Sequence, residues 1–261
     1  MNNYHMSYAQ KSNVFVDGVL NIFTDASVDK VAPSVWNACS GAVCVDYKDG
    51  ISVMSPPQLA ILKNCTNNIA ELTGVELACD IAIENQTKYH RINVFSDSEY
   101  SVKALKEWIF SWVRITCSFN GDGDGFTQMR KGDGQIVKNQ TIIKNIVNKI
   151  CSIRPEVCQF NIYHVKAHSK DNVEKIQAQF MKSNGIRINL FDAELIGYYN
   201  DFIDNATRNL LHQDPDNEQS RFKVVPFAIH PMNFDLYRSI IGGRDFNVSK
   251  TIMGSVEPSG E

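Results

Sequence analysis

The sequence predicts an α/β fold in which one mixed sheet, an antiparallel meander continued by parallel strands, is covered by helices. Three observations carry this. Apolar runs between 19 and 62 are separated by turn residues, giving strand, turn, strand, turn, strand. At Thr66 the apolar spacing changes to three or four residues, which marks one face of a helix. Short strands and helices then alternate, the order that adds parallel strands to a sheet.

Taken in order, residues 1–17 form a polar lead-in. Val19, Leu20, Ile22 and Phe23 make a buried strand that stops at Thr24-Asp25-Ala26-Ser27. Asp25 thus stands at the strand's mouth, although an Asp bonding its own backbone in a turn has the same look. A loop over 28–37 leads to a second strand, 41–47, and Lys48-Asp49-Gly50 reads as a hairpin turn. A third strand falls within 51–62, interrupted by Pro56-Pro57. Ile69, Leu72, Val75, Cys79 and Ile83 define the first helix, ended by Asn85-Gln86-Thr87. Residues 91–96 form a strand, and Val102, Leu105, Ile109 and Trp112 a second helix. The glycines of 115–137 predict a mobile loop. A helix over 139–151, a strand over 159–165 and a last helix through Tyr199, Ile203, Ala206 and Leu210 follow. Residues 212–219 have the composition of a linker, and the apolar pieces at 224–229 and 236–241 carry no assignment.

With 261 residues and 43% hydrophobic content, the chain can form one sizeable core with appendages, or two small domains. A net charge of −3 means that any nucleic-acid contact must come from a local basic patch. Seven scattered cysteines without a CxxC pair argue against a zinc site and for a reducing, cytoplasmic setting. Residues 1–13 lack the apolar stretch of a signal peptide, and no apolar run approaches the ~18 residues of a membrane helix. A monomer without membrane attachment is expected.

Four acids mark the ends of these elements: Asp25, Glu71 in the first turns of the first helix, Asp97 after strand 91–96, and Asp204 on the last helix. Each has a structural alternative. Glu71 fits a capping box with Asn68, Asp97 a helix cap, and Asp204 an i,i+4 pair with Arg208. Together, at the mouths of adjacent strands, they make a set of like charges that ionises readily only around a cation. Hard oxygen ligands suit Mg²⁺, with Mn²⁺ as a substitute.

The segments IFTDAS, CTNNIAELTGVELA, VFSDSEYSVKALKEWIFSW, VKNQTIIKNI, YHVKAHS and NDFIDNATR occur in the order of the motifs of type 1 ribonuclease H, and the chain resembles that family over about 18–211. The resemblance implies a five-stranded mixed sheet with helices on both faces. It implies a metal-dependent endonuclease that hydrolyses the RNA strand of RNA–DNA hybrids and leaves 3′-hydroxyl and 5′-phosphate ends. Asp25, Glu71, Asp97 and Asp204 match the family's metal-binding acids, which would hold two Mg²⁺ about 3.5–4 Å apart. His168 matches a histidine beside the site that assists proton transfer or product release. Asn67 and Asn68 match asparagines that read the hybrid's minor groove, where RNA displays its 2′-hydroxyls. Lys103, Lys106 and Trp108 fall on a basic protrusion that grips the DNA strand, and Asn139 falls in a further substrate-binding motif. Glu99 stands where the family often has glutamine.

Two departures are visible. A long segment, about 170–198, separates His168 from Asp204, which leaves Asp192 and Asp201 as rivals for the fourth acid. Its apolar residues, including Val173, Ile176, Phe180, Ile188 and Phe191, predict a small helical flap beside the site, with a patch on the core or a subunit interface as the alternative. Residues 212–261 extend beyond the resemblance. Competing readings are a nucleic-acid-binding module of the same fold, whose sign would be a missing acid, and a DNA-directed nuclease. An exonuclease of that kind expects a second acid two residues after the first, where this chain has Ser27.

Overall fold

Asp25 does not end the first strand. The computed structural model, which describes residues 14–32, 35–120, 128–166, 172–213 and 234–241, carries strand β1 (Val19–Ala32) past it. There β1 pairs antiparallel with β2 (Val35–Lys48), Asp25 facing Gly41. Most of the loop expected over 28–37 is therefore strand. The continuation is held by burial: Ala26 and Val28 pack against a small cluster of Ala38, Cys65 and Ala70.

The meander closes with β3 (Ile51–Met54) and β4 (Gln58–Lys63), which both pair with the same edge of β2. Pro56-Pro57 has no N–H to donate, so the ladder breaks there. Ser55 bridges the gap, its N–H donating to the Cys44 carbonyl (2.9 Å) and its hydroxyl accepting from the Cys44 N–H (3.2 Å). This split is why the sheet counts six strands and not five.

Helix α1 (Asn67–Asn85) starts at Thr66, whose side chain caps the Ile69 N–H. Strand β5 (Arg91–Ser96) lies parallel to β1, from Val19 opposite Arg91 to Thr24 opposite Ser96. Ser98 caps α2 (Glu99–Lys103), which continues through a π-helical turn (Ala104–Trp108) into α3 (Ile109–Asn120). After α4 (Gln140–Cys151), strand β6 (Gln159–His164) adds parallel to β5. Helices α5 (Val173–Asn184), α6 (Leu190–Gln213) and α7 (Phe234–Ile241) complete the order. The sheet runs β3-β2-β1-β5-β6, with β4 beside β2.

Alternation along the strands divides the core. Leu20, Ile22, Ile92, Val94, Phe160 and Ile162 face the layer of α1, α3, α4 and α7. Phe23, Val43, Val45 and Phe95 face α5 and α6. The expected helices on both faces are present. Register among the parallel strands is pinned by three asparagines. Asn161 Nδ2 donates to Asn93 Oδ1 (3.0 Å), Asn93 Nδ2 to Asn21 Oδ1 (2.9 Å), and Asn21 Nδ2 to the Val14 carbonyl (3.1 Å). A one-residue slip would leave the buried amides of Asn21 and Asn93 unsatisfied.

Several expectations need correction. The lead-in contributes to the core: Phe15 is fully buried and lies near-parallel to Phe23 at 6.5 Å. The expected mobile loop is partly built in, since α3 reaches Asn120 and Met129 and Val137 are buried; 121–127 lie outside the described residues. The extension returns at α7, where Tyr237 is fully buried and donates to the Leu105 carbonyl (2.7 Å). From residue 172 on, where it is described, the 170–198 segment packs on the core and is not a flap. Ile176, Phe180, Ile188, Ala193 and Ile196 join the cluster of Phe23 and Phe95, because β5 and β6 would otherwise expose that face. Phe180→Ala should accordingly cost about 3–5 kcal/mol, the range for a buried aromatic, in equilibrium urea unfolding. A loss near zero would restore the flap.

Candidate active site

The site forms where the parallel pairing ends. Thr24 opposite Ser96 is the last β1–β5 pair, and Asp25 and Asp97 are the residues that follow on each strand. Neighbouring strands lie about 4.8 Å apart, so the two carboxylates arrive side by side. Glu71 comes from α1, which crosses above. The Ser40 hydroxyl of β2 donates to the carbonyl of Ala70 (2.6 Å), fixing the residue before Glu71. Gly74, one turn on, lets the helix settle: a Cβ there would stand 3.3 Å from the Gly41 carbonyl oxygen and 3.4 Å from that of Asp25.

Carboxylate oxygens of Asp25, Glu71 and Asp97 lie within 4.8 Å of one another. Asp25 is 4% exposed and Glu71 9%. Burial pushes the Asp25 carboxyl up to about 9, with the charges of Asp97, Glu71 and Asp204 adding to it. Burial, then Asp97, raises Glu71 to about 8. Glu71 Oε2 is buried and accepts no hydrogen bond from the described residues. A cluster of hard oxygen donors, two of them driven toward protonation and one lacking a donor, fits a divalent cation such as Mg²⁺.

Asp204 stands apart from this trio but lines the same cleft, of about 320 Å³, with Arg208 and His212. The i,i+4 pair read from the sequence is formed: Arg208 Nη2 donates to both Asp204 oxygens at 2.7 and 2.8 Å. Of its rivals, Asp201 does not line the cleft, and Asp192 is fully buried in the first turn of α6, about 18 Å along the helix from Asp204. Asp204 is seated because Gly41 lets α6 approach. A Cβ on Gly41 would lie 2.8 Å from Thr207 and 2.9 Å from Ile203, and the Ser27 and Thr207 hydroxyls hydrogen-bond at 3.0 Å. His168 lies outside the described residues.

The nucleic-acid candidates divide. A second cleft, of about 470 Å³, is lined by Asn68, Tyr100, Trp108, Lys131, Lys138 and Asn139, among others. Asn139 adopts a left-handed conformation (φ 60°) before α4, and its amide donates to the Tyr100 hydroxyl (3.3 Å). Asn67 is exposed at the start of α1. Lys103 is partly exposed and paired with Glu99 at 2.6 Å, so Glu99 presents little free charge. Lys106 points the wrong way for phosphate contact: its ammonium donates inward to the Ile162 carbonyl (2.9 Å) and sits over Tyr163, and burial lowers it to about 8. Sequence reasoning gave Tyr100 no role. The signal for Tyr100 was the spacing of eight from it to Trp108 and of four from Trp108 to Trp112, which puts the three aromatics toward one helical face. Their rings contact one another in sequence, Tyr100 edge-on to Trp108 at 5.8 Å and Trp108 tilted against Trp112 at 5.9 Å.

Comparison with known proteins supplies a context. Residues 17–186 match the family model described as RNase H. The chain is 36% identical over 81 residues to ribonuclease H of Tropheryma whipplei strain Twist, and equally to that of strain TW08/27, covering 31% of this chain and 41% of each relative. It thus spans about two fifths of the length of these curated relatives. Similar solved structures include a foamy viral protease–reverse transcriptase in complex with RNA/DNA hybrid (15% identity, 65% of this chain and 20% of that one, TM-score 0.46). Another is LC9-RNase H1, a type 1 RNase H with the type 2 active-site motif (14%, 68% and 81%, TM-score 0.45). A third is the solution structure of the PFV RNase H domain (22%, 70% and 95%, TM-score 0.43). Among the described residues, no helix is long and apolar enough to cross a membrane.

The raised acids make stability depend on pH. Asp25 keeps its proton in the folded chain up to about pH 9 but releases it near pH 4 when unfolded. Its stabilising contribution is complete below pH ~4 and is lost as pH rises toward 9. Asp25→Asn should therefore raise Tm at pH 8 by at least ~2 °C, since 1 kcal/mol is worth about 2–4 °C in a domain this size. At pH 4 the change should nearly vanish. Differential scanning calorimetry at both values checks this, and an equal gain at each would refute the coupling.

Proposed function

The chain belongs to the RNase H family, and on that premise we propose that it is an endonuclease hydrolysing the RNA strand of RNA–DNA hybrids. The observation that carries this reading is the trio of carboxylates at one cleft floor, buried Asp25 and Glu71 with half-buried Asp97, whose oxygens lie within 4.8 Å. Mg²⁺, or Mn²⁺ in its place, would be held by these acids and by Asp204. When bound, a pair of such ions supplies an activated water and neutralises charge at the leaving oxygen.

The chain's own residues deliver substrate to that floor. Asn68 lines the aromatic and basic cleft, and Glu71 lies one turn later on the same helix in the acid cleft. A duplex gripped at Asn68, Trp108 and Asn139 is thereby carried toward the acids by a rigid element. Lys131 and Lys138 supply the local positive charge that the whole molecule lacks. Tyr100 and Trp108 offer faces for the sugar–phosphate backbone or unstacked bases. Arg208 balances Asp204 until a cation competes for the same oxygens. His168, by family resemblance, takes part in proton transfer or product release. Hydrolysis joins the water oxygen to phosphorus and breaks the bond to O3′, leaving 3′-hydroxyl and 5′-phosphate ends.

Cleavage of an RNA-labelled hybrid in Mg²⁺ tests the proposal, with duplex RNA and duplex DNA as controls. Only the hybrid should be cut, and Asp25→Asn or Asp97→Asn should reduce cutting to background while the chain stays folded. Ca²⁺ should support binding better than turnover, because its looser coordination misplaces the attacking water. Near-native rates in either variant, or cutting in excess chelator, would sink the assignment.

A further inference from the structure

Asp97 is the acid with the least ladder support. β5 ends at Ser96, so the corner Ser96-Asp97-Ser98 must be held by other contacts. Three are in place. The Val165 N–H donates to the Ser96 carbonyl (2.9 Å), the Ser98 N–H to Ser96 Oγ (3.3 Å), and the Ser101 N–H to Ser98 Oγ as the cap of α2 (3.2 Å). A fourth comes from His164, the last residue of β6: its Nε2 lies 3.2 Å from the Asp97 carbonyl oxygen. A carbonyl only accepts, so the ring must donate there.

His164 is itself fixed from outside the sheet. β6 is the edge strand, and its free edge faces α5. Asn184, the last residue of α5 and 3% exposed, takes the place of a neighbouring strand. Its Oδ1 accepts the His164 N–H and its Nδ2 donates to the His164 carbonyl, both at 2.8 Å, while Nδ2 also reaches the Phe180 carbonyl at 3.1 Å. Buried Ile176 and Phe180 hold α5 in position.

We propose that His164 and Asn184 are positioning residues for Asp97, with Asn184 fixing the edge of β6 and His164 fixing the carbonyl of the acid. The segment between β6 and α6 would then serve the site without touching substrate. The inference rests on the reading of Asp97 as a metal ligand.

Mn²⁺ binding by the full-length chain, measured by isothermal titration calorimetry at neutral pH, tests it apart from activity. H164L should weaken Mn²⁺ binding about tenfold, the lower range for losing a group that orients a ligand. H164Q, whose amide can donate from about the Nε2 position, should restore binding to near wild type. N184L should behave like H164L. In hybrid cleavage, H164L should lower kcat and raise the Mg²⁺ needed for half-activity, with KM for hybrid unchanged. Wild-type Mn²⁺ affinity in H164L, or an H164Q defect equal to that of H164L, would overturn the proposal. If N184L does not fold, the H164L and H164Q pair decides alone. A wild-type chain that binds Mn²⁺ with these differences yet leaves hybrid intact would refute the ribonuclease reading and support this one. No Mn²⁺ binding by wild type would refute both.

Discussion

Gly41 faces Asp25 across the β1–β2 ladder, and helices close on that pair from both sides of the sheet. On one side α1 approaches until Gly74 meets the Gly41 and Asp25 carbonyls; on the other, α6 brings Ile203 and Thr207 into the space a Gly41 side chain would fill. Both approaches depend on a missing Cβ, and each brings an acid with it. Glu71 is three residues before Gly74, and Asp204 lies between Ile203 and Thr207. The hydroxyl contacts of Ser40 with Ala70 and of Ser27 with Thr207 lock the two helices at the same level of the sheet. The cleft is thus a packing outcome first. Its geometry is set by backbone approach, which is stiffer than any arrangement of long side chains.

Such packing works against the charges it assembles. Water is removed from Asp25 and Glu71, and each feels Asp97 nearby, so both acids are driven toward protonation. The fold tolerates this because the site occupies the end of a sheet whose two faces are filled. Near-parallel Phe23 and Phe95 at 4.7 Å, and the cluster of Phe160, Ile162 and Ile92 opposite, hold the strands whether or not the acids are neutralised. Arg208 relieves Asp204. What is left uncompensated is concentrated at the cleft floor, where a cation would meet it.

Much of this was legible in the sequence because it is local. The shift from strand to helical spacing at Thr66 placed Glu71, and the apolar run before Asp97 placed the mouth of β5. The position of Asp25 was misread in one respect: Thr24-Asp25-Ala26-Ser27 has turn composition, and its strand character comes from Gly41 and its neighbours on β2. Lys106 was misassigned because a basic residue on an amphipathic helix reads as solvent-facing. The π-helical turn and the accessible Ile162 carbonyl are tertiary facts. The 170–198 segment has apolar residues in number, but the face they cover is defined by Phe95 and Tyr163 on other strands. Helix α7 carries no sequence signal of its docking, since its partners on α3 and α4 are distant in the chain.

These elements have a common physical role. A sheet that ends at β6 exposes backbone groups along one edge and apolar side chains on one face, and both need cover. α5 supplies each with different residues: Ile176 and Phe180 cover the face, and Asn184 takes the edge. On the opposite layer Tyr237 does the same at smaller scale, its ring buried beside Phe110 and its hydroxyl on the Leu105 carbonyl inside the π-helical turn. That turn leads to Trp108, on the wall of the aromatic cleft. The parts of the chain that depart most from the motif-bearing segments therefore brace the two backbone stretches, the Asp97 corner and the π-helical turn, from which the acid cleft and the aromatic cleft are built. A segment can be absent from the site's surface and still set its geometry, provided it fixes backbone that regular secondary structure leaves unbonded.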